Sequence, residues 1–260
     1  MNETYLIDTH SHVDMIEGIS TDDVLRNAFE QDVRKIIVPC AYPKDVDKIY
    51  ELVNKYDNLY GLLGVHPSEA RDWDDSLIEK IKKYASSPKI VGIGEIGLDY
   101  YWDKSFNDVQ KEVFIKQIKL ANELGLPICV HDRDAHKDSF DILKKYNAGS
   151  PVVMHCFSGS VEFARECIKE GWYLALGGVV TFKNAVKMKE VAEDIPLDKL
   201  LLETDAPYLT PVPFRGKENQ PAYVRFVAEE ISKIRGTSFD EIAQATSENA
   251  EKVFKLEKDK

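Results

Sequence analysis

His10 and His12 stand one residue apart at the end of a short apolar run, Tyr5-Leu-Ile-Asp-Thr-His-Ser-His12. In an extended strand, residues i and i+2 point to the same face. The two imidazoles therefore project together, and Asp8 shares their face one step below. Two neutral imidazoles at the end of an apolar strand make half of a divalent-metal site. The same placement recurs along the chain. Glu95 lies in the run from Ile90, His131 follows Pro127–Val130, His155 follows Pro151–Met154 and Asp205 follows Leu200–Leu202. Any one of these histidines alone reads as a satisfied core residue. Four of them at equivalent positions, with two carboxylates, would be a costly set of buried polar groups without a cation. Four imidazoles and two carboxylates can hold one or two borderline ions, with Glu95 able to bridge them and a water or hydroxide between.

Eight apolar segments would have to position these groups: Tyr5–Ile7, Lys35–Pro39, Leu59–Val65, Ile90–Ile96, Pro127–Val130, Pro151–Met154, Trp172–Leu176 and Leu200–Leu202. Several are near-continuous Val/Ile/Leu runs, the pattern of strands covered on both faces. Helical periodicity fills the gaps. Thr21 can cap a helix towards Gln31, and further helices are expected over Pro43–Tyr56, Trp73–Tyr84, Lys137–Tyr146, Val161–Lys169, Asn184–Ala192 and Pro221–Ile234. The spacing of Val109, Val113, Ile115–Gln117, Leu120 and Leu124 predicts a helix over Asn107–Leu124, ending at Gly125 with Pro127 beyond. Two C-terminal helical stretches follow, one opened by Ser238-Phe-Asp-Glu241 and one by Ser247-Glu-Asn. Eight strand–helix units within 260 residues predict an α/β chain folded as a single (β/α)8 TIM barrel over residues 1–260. Active sites of such barrels lie at the C-terminal ends of the strands, where the six residues fall. Three glycines, at 92, 94 and 97, fit close backbone packing beneath Glu95 or a bulge at the strand end.

Composition narrows the function. A net charge of −11 disfavours a broad basic surface for duplex nucleic acid. It leaves room for a small phosphate-binding cleft, since a bound metal would be the largest local charge there. No apolar run approaches the ~20 residues that cross a bilayer. Met1-Asn-Glu-Thr carries neither a basic nor an apolar signal region, so a cytoplasmic protein is expected, with no membrane and no obligate protein partner. Cys40, Cys129, Cys156 and Cys167 show no C-x-x-C spacing and read as buried thiols.

Five motifs in order carry a resemblance: His10-Ser-His12; Gly94-Glu95-Ile-Gly97-Leu-Asp99-Tyr100; Pro127-Ile-Cys-Val-His131-Asp-Arg133-Asp-Ala135; His155-Cys-Phe-Ser158-Gly159; and Leu202-Glu-Thr-Asp205-Ala-Pro207-Tyr-Leu. Together the sequence resembles the TatD family of metal-dependent hydrolases and deoxyribonucleases, within the amidohydrolase superfamily. The resemblance runs from Asp8 to the C-terminal helix. It implies His10, His12, Glu95, His131, His155 and Asp205 as ligands of one or two divalent ions, magnesium, manganese, zinc or similar. It also implies DNA as substrate, single-stranded or at an end, cleaved by a deoxyribonuclease with 3′–5′ exonuclease direction. In that chemistry Asp205 and Glu95 are the catalytic carboxylates, Asp205 orienting the water or accepting its proton.

Supporting residues carry two readings each. Asp8 and Glu203 lie one layer below the ligands, as carboxylates that orient imidazoles or as salt-bridge partners inside the barrel. His66, in Gly64-Val-His-Pro67, contacts the leaving group or phosphate, or is a rim histidine. Arg133 clamps a phosphate or pairs with Asp132 or Asp134. Tyr100, Tyr101, Trp102 and Tyr208 stack on bases or pack loop roots, with packing favoured for Trp102 and substrate binding for Tyr208. His136 should begin a helix in solvent. Ser158-Gly159-Ser160 offers backbone N–H groups to a phosphate or serves as an ordinary helix cap. The same ligand set suits attack at carbon, so hydrolysis of an ester or amide, such as aminoacyl-tRNA deacylation, is the nearest alternative. A metal-binding partner protein without catalysis is the third.

Overall fold

The computed structural model describes residues 4–257. Its eight strands are β1 (Leu6–Asp8), β2 (Val33–Pro39), β3 (Leu59–Leu63), β4 (Ile90–Asp99), β5 (Ile128–Arg133), β6 (Val152–Met154), β7 (Tyr173–Leu176) and β8 (Leu200–Leu202). They form one sheet in sequence order. The Thr9 N–H donates to the Leu202 carbonyl, and a parallel bridge joins Ser11 to Ala206, so β8 returns to the edge of β1. The fold is a (β/α)8 barrel, as the strand count predicts. Nine α-helices are present among the described residues: α1 (Thr21–Glu30), α2 (Val46–Lys55), α3 (Ser76–Tyr84), α4 (Asn107–Leu124), α5 (His136–Tyr146), α6 (Val161–Lys169), α7 (Val186–Asp194), α8 (Val224–Arg235) and α9 (Phe239–Phe254).

By internal packing the chain forms two compact units, Met1–Val38 with Gly159–Lys260, and Pro39–Ser158. In the first, β7 runs parallel to β8 with Leu174, Ala175 and Leu176 opposite Leu200, Leu201 and Leu202. β1 pairs with β2, Asp8 lying opposite Ile36. Every residue of β1, β7 and β8 is buried, which is why these strands are continuous apolar runs. In the second unit β4 is flanked by β3 and β5.

β4 and β5 run further than their apolar stretches. The ladder continues through Gly97 opposite His131 to Asp99 opposite Arg133. Glu95 and His131 therefore lie within paired strands. Gly97 makes this possible. Its φ is +147°, and a Cβ there would stand 1.9 Å from the His131 carbonyl oxygen, so only glycine fits so close an approach.

Several helix starts differ from the sequence reading. Ser20, not Thr21, caps α1, its hydroxyl accepting from the Asp23 N–H. α2 and α8 begin after 3₁₀ turns at Pro43–Asp45 and Pro221–Tyr223. Trp73 has extended backbone after a turn over Pro67–Asp72, so α3 begins only at Ser76. α7 is shifted to Val186–Asp194. The two expected C-terminal stretches are one helix, α9. Ser247 caps nothing there; its hydroxyl donates to the Tyr5 carbonyl at 2.8 Å and docks the helix beneath β1. Ser160 caps α6 by accepting from the Phe163 N–H, which is the ordinary reading of that serine.

α4 buries Val113, Gln117 and Leu120 as the spacing predicts, but its core face is partly polar. Val109 is 38% exposed, whereas Gln110 and Gln117 are buried. Gln117 accepts from the Val65 N–H at 2.8 Å and donates to the Val65 carbonyl at 3.1 Å. Gln110 does the same at Asp99, at 2.9 and 3.0 Å. Each glutamine amide thus satisfies both backbone groups of a residue at a strand's end, Asp99 closing β4 and Val65 lying just past β3.

Candidate metal centre

His10, His12 and Asp205 come together in the first unit. Asp205 Oδ1 lies 4.0 Å from His10 Nε2 and 3.7 Å from His12 Nε2. The two imidazoles sit edge to face, with centroids 5.2 Å apart. Backbone pairing fixes the arrangement. The Asp205 N–H donates to the His10 carbonyl at 2.9 Å, and the His12 N–H donates to the Ala206 carbonyl at 2.8 Å. Asp205 has φ +55°, a left-handed conformation that Asp tolerates better than most residues.

Asp8 works on the backbone that carries these side chains. Its carboxylate accepts from the Thr204 N–H at 2.9 Å, the Thr204 hydroxyl at 2.6 Å and the His10 N–H at 3.3 Å. Complete burial pushes the Asp8 carboxyl well above the usual carboxylate range, against the downward pull of these hydrogen bonds. Glu203 is fully buried, with a carboxylate oxygen within 4.8 Å of a His10 ring nitrogen. Tyr208 presents its ring edge-on to His12 at 6.3 Å and is half exposed. Its segment is stapled by buried Asn219, whose side-chain amide donates to the Thr204 and Tyr208 carbonyls at 2.9 and 2.6 Å.

The second unit holds another cluster. Buried Glu95 places Oε1 2.9 Å from His131 Nδ1, 3.4 Å from His155 Nε2 and 3.7 Å from His66 Nε2. On the far side of the His131 ring, Nε2 meets Asp99 Oδ2 at 3.0 Å. His66 packs against His131 with centroids 4.3 Å apart. Its Nδ1 accepts from the Ser68 N–H, which sets its orientation at the start of the turn. Burial pushes the His131 imidazolium down, but hydrogen bonds to Asp99 and Glu95 outweigh it and raise the group to about 9. Asp99 is likewise pushed up by burial, yet its bond to His131 leaves it below the ordinary range. In the metal-free chain a protonated His131 thus sits between two carboxylates.

The donor set fits divalent ions. His10, His12 and Asp205 have ligand atoms within 4.8 Å of one another, and so do Glu95, His131 and His155. Imidazole and carboxylate suit zinc, manganese and neighbouring ions, with magnesium favoured by the carboxylates. Buried carboxylates encircled by imidazoles are stable only when a proton or a metal supplies positive charge.

Other expected residues lie elsewhere. Arg133 forms no pair with Asp132 or Asp134; its guanidinium lies over the Tyr101 and Trp102 rings, at 3.9 and 5.4 Å. Asp132 instead bonds His136 Nδ1 at 2.9 Å, so His136 begins α5 with a partner one turn back rather than in solvent alone. Tyr100 donates to Asp138 at 2.8 Å and is part-buried, a packing role. Trp102 does not pack a loop root, being 72% exposed. Asp99, Gln110, Thr204 and Asn219 escaped the sequence reading, which placed Gln117 in the core stripe of its helix without giving it a role. Asp99 alone had a signal: it lies four residues beyond Glu95, on the same face of an extended strand.

The sequence model of the family described as TatD related DNase matches residues 7–255. The uncharacterized metal-dependent hydrolase YabD of Bacillus subtilis is 47% identical over 254 residues, covering 96% of this chain and 99% of that protein. A protein of Escherichia fergusonii named 3′-5′ ssDNA/RNA exonuclease TatD is 32% identical over 240 residues, covering 90% and 92%. The crystal structure of the TatD homolog YJJV of Escherichia coli superposes with a TM-score of 0.91 at 33% identity, covering 97% and 98%.

Proposed function

This chain belongs to the TatD family of metal-dependent hydrolases, and on that premise we propose that it is a deoxyribonuclease that shortens single-stranded DNA from its 3′ end. We assign His10, His12, Glu95, His131, His155 and Asp205 as ligands of one or two divalent ions. The observation that carries this reading is the environment of Glu95: a buried carboxylate with three imidazoles within 3.7 Å. Glu95, His131 and His155 would hold a divalent ion there, which would supply a water of lowered pKa and polarisation of a phosphoryl oxygen.

The protein's own groups do the rest. Asp205, at the edge of its cluster and partly open to solvent, orients the attacking water and takes its proton. Glu95 sets the charge of the second cluster and holds His131 and His155 in place. Asp99 and Asp8 act behind them, Asp99 on the His131 ring and Asp8 on the backbone of His10 and Thr204. We assign His66 to the leaving group, and Arg133 and Tyr208 to the substrate strand. The net charge of −11 repels a long polyanion, which favours contact with a strand end over a duplex. None of the four cysteines is in a disulfide, as suits the cytoplasm, where we place the activity.

The test is hydrolysis of 5′-labelled single-stranded DNA by chelator-treated protein, with magnesium, manganese and zinc restored one at a time. A ladder shortening from the 3′ end, absent with Glu95→Ala, is expected. Turnover of ester or amide substrates with no cleavage of DNA under any metal would overturn the assignment.

A further inference from the structure

Past the Glu95 cluster, β4 and β5 end together, Asp99 opposite Arg133. The chain then exposes two adjacent aromatic side chains, Tyr101 at 51% and Trp102 at 72%. Tryptophan is seldom left so open, because its burial is worth more than that of any other side chain. The root of this loop does not need them for packing. Phe106, Ala70, Val113 and Trp73 form its apolar cluster, with Arg71 laid over Phe106 at 4.2 Å.

The two rings nonetheless pack against each other. They stand edge to face at 89°, with centroids 4.8 Å apart, and the Arg133 guanidinium covers both. The backbone beneath is tied to the cluster itself, since the Tyr101 N–H donates to Asp99 Oδ1 at 2.9 Å and Asp99 holds His131. Two acidic neighbours, Asp132 and Asp134, flank Arg133 in sequence, yet among the described residues no carboxylate pairs with it. Its positive charge is therefore open to an anion. Arg133 lies two residues beyond His131 on β5, about 7 Å along the strand.

We infer that Tyr101, Trp102 and Arg133 form a platform that stacks one unpaired nucleobase of the substrate strand beside the reacting phosphodiester. The inference rests on the nuclease reading and adds to it the part of the substrate recognised. Base–aromatic stacking is tolerant of sequence because every base has a π-face. A guanidinium already stacked on a ring keeps its N–H edge for a phosphate oxygen. A duplex offers no open base face, so the platform selects single strands and frayed ends. On a chain this acidic, stacking supplies the affinity that a basic surface would otherwise give.

The experiment uses the metal-loaded full chain in an Asp205→Asn background, so that bound strands persist. Anisotropy measures binding of a fluorescent single-stranded oligothymidylate and of an equal-length strand with abasic sites throughout. Trp102→Ala and Trp102→Phe are added to that background. In the otherwise native chain, KM and kcat are read for the same two Trp102 substitutions. Expected are tighter binding of the base-bearing strand and a loss of roughly tenfold or more in that binding with Trp102→Ala. The abasic strand should bind equally with and without Trp102, and Trp102→Phe should recover most of the loss. KM should rise with kcat nearly unchanged, and the melting temperature should not move. Equal binding of both strands, or no effect of Trp102→Ala, overturns the platform even if DNA is cleaved. Base-dependent binding through Trp102 without any DNA cleavage keeps the platform and removes the nuclease reading. Failure to bind either strand removes the platform.

Discussion

Gln110 gives the sharpest test of how the fold holds the Glu95 cluster. Its amide satisfies the Asp99 N–H and carbonyl at 2.9 and 3.0 Å, all within buried surroundings. Gln110→Met keeps length and volume but removes both bonds. Each buried backbone group left without a partner costs about 1–3 kcal/mol. The apolar gain from methionine offsets part of that, leaving a net loss of about 2–4 kcal/mol. With a urea slope of ~2–3 kcal/mol/M, the midpoint should fall by about 1 M at unchanged slope. A second effect should appear at the metal. Asp99 would lose the clamp on its backbone, and removing a group that orients a ligand imidazole typically weakens metal binding by about 10–100-fold. Urea unfolding in chelator and zinc titration of the refolded variant measure the two effects separately. A shift below ~0.5 kcal/mol with wild-type metal affinity would refute the reasoning, because it would mean that Asp99 keeps its place without the glutamine.

Other outcomes follow from particular contacts. Lys35 and Glu251 form a buried ion pair at 3.2 Å, and Tyr5 also donates to Glu251; Lys35→Met alone should cost about 3–5 kcal/mol in urea unfolding, with Lys35→Met/Glu251→Leu recovering most of it. Gly97→Ala drives a Cβ into the His131 carbonyl at 1.9 Å; the variant should be recovered unfolded or without metal affinity, read by circular dichroism and metal titration. In the metal-free protein, His131 is raised to about 9 from an ordinary 6.5. Its contribution to stability is therefore full below about pH 6.5 and is lost as pH rises through 9. Denaturation of chelated protein should show that decline, and His131→Gln should flatten it. Ligand metal must displace the same proton, so zinc binding near pH 7.5 should release protons, seen as a buffer-dependent calorimetric enthalpy.

The strand framework was legible because barrel strands are buried on both faces and read as short apolar runs. The six proposed ligands stand out in the sequence because each is a polar residue within or just after such a run. What escaped was polar work inside apolar patterns. Apolar periodicity placed Val109 in the core of α4, whereas Gln110 and Gln117 are buried because the backbone groups of Asp99, at the end of β4, and of Val65, just past β3, take their side-chain amides as partners. Asn219 lies in the loop between Ala206 and Pro221, where no periodicity marks it. Trp102 was expected to be buried, since size and hydrophobicity argue for packing; its exposure follows from Phe106 and Trp73 having filled the loop root. Ser247 resembled a helix cap because a hydroxyl before Glu-Asn has that form, and only the long-range contact with Tyr5 shows its different use.

The central claim is that buried imidazole–carboxylate clusters bind the divalent ions that drive phosphodiester hydrolysis. Its most direct test is metal content by mass spectrometry, measured beside single-strand DNA cleavage for wild type and Glu95→Ala at matched metal exposure. Bound metal in the wild type, with metal and cleavage lost together in Glu95→Ala, is the predicted result. Wild-type metal content and wild-type cleavage in Glu95→Ala would contradict the account.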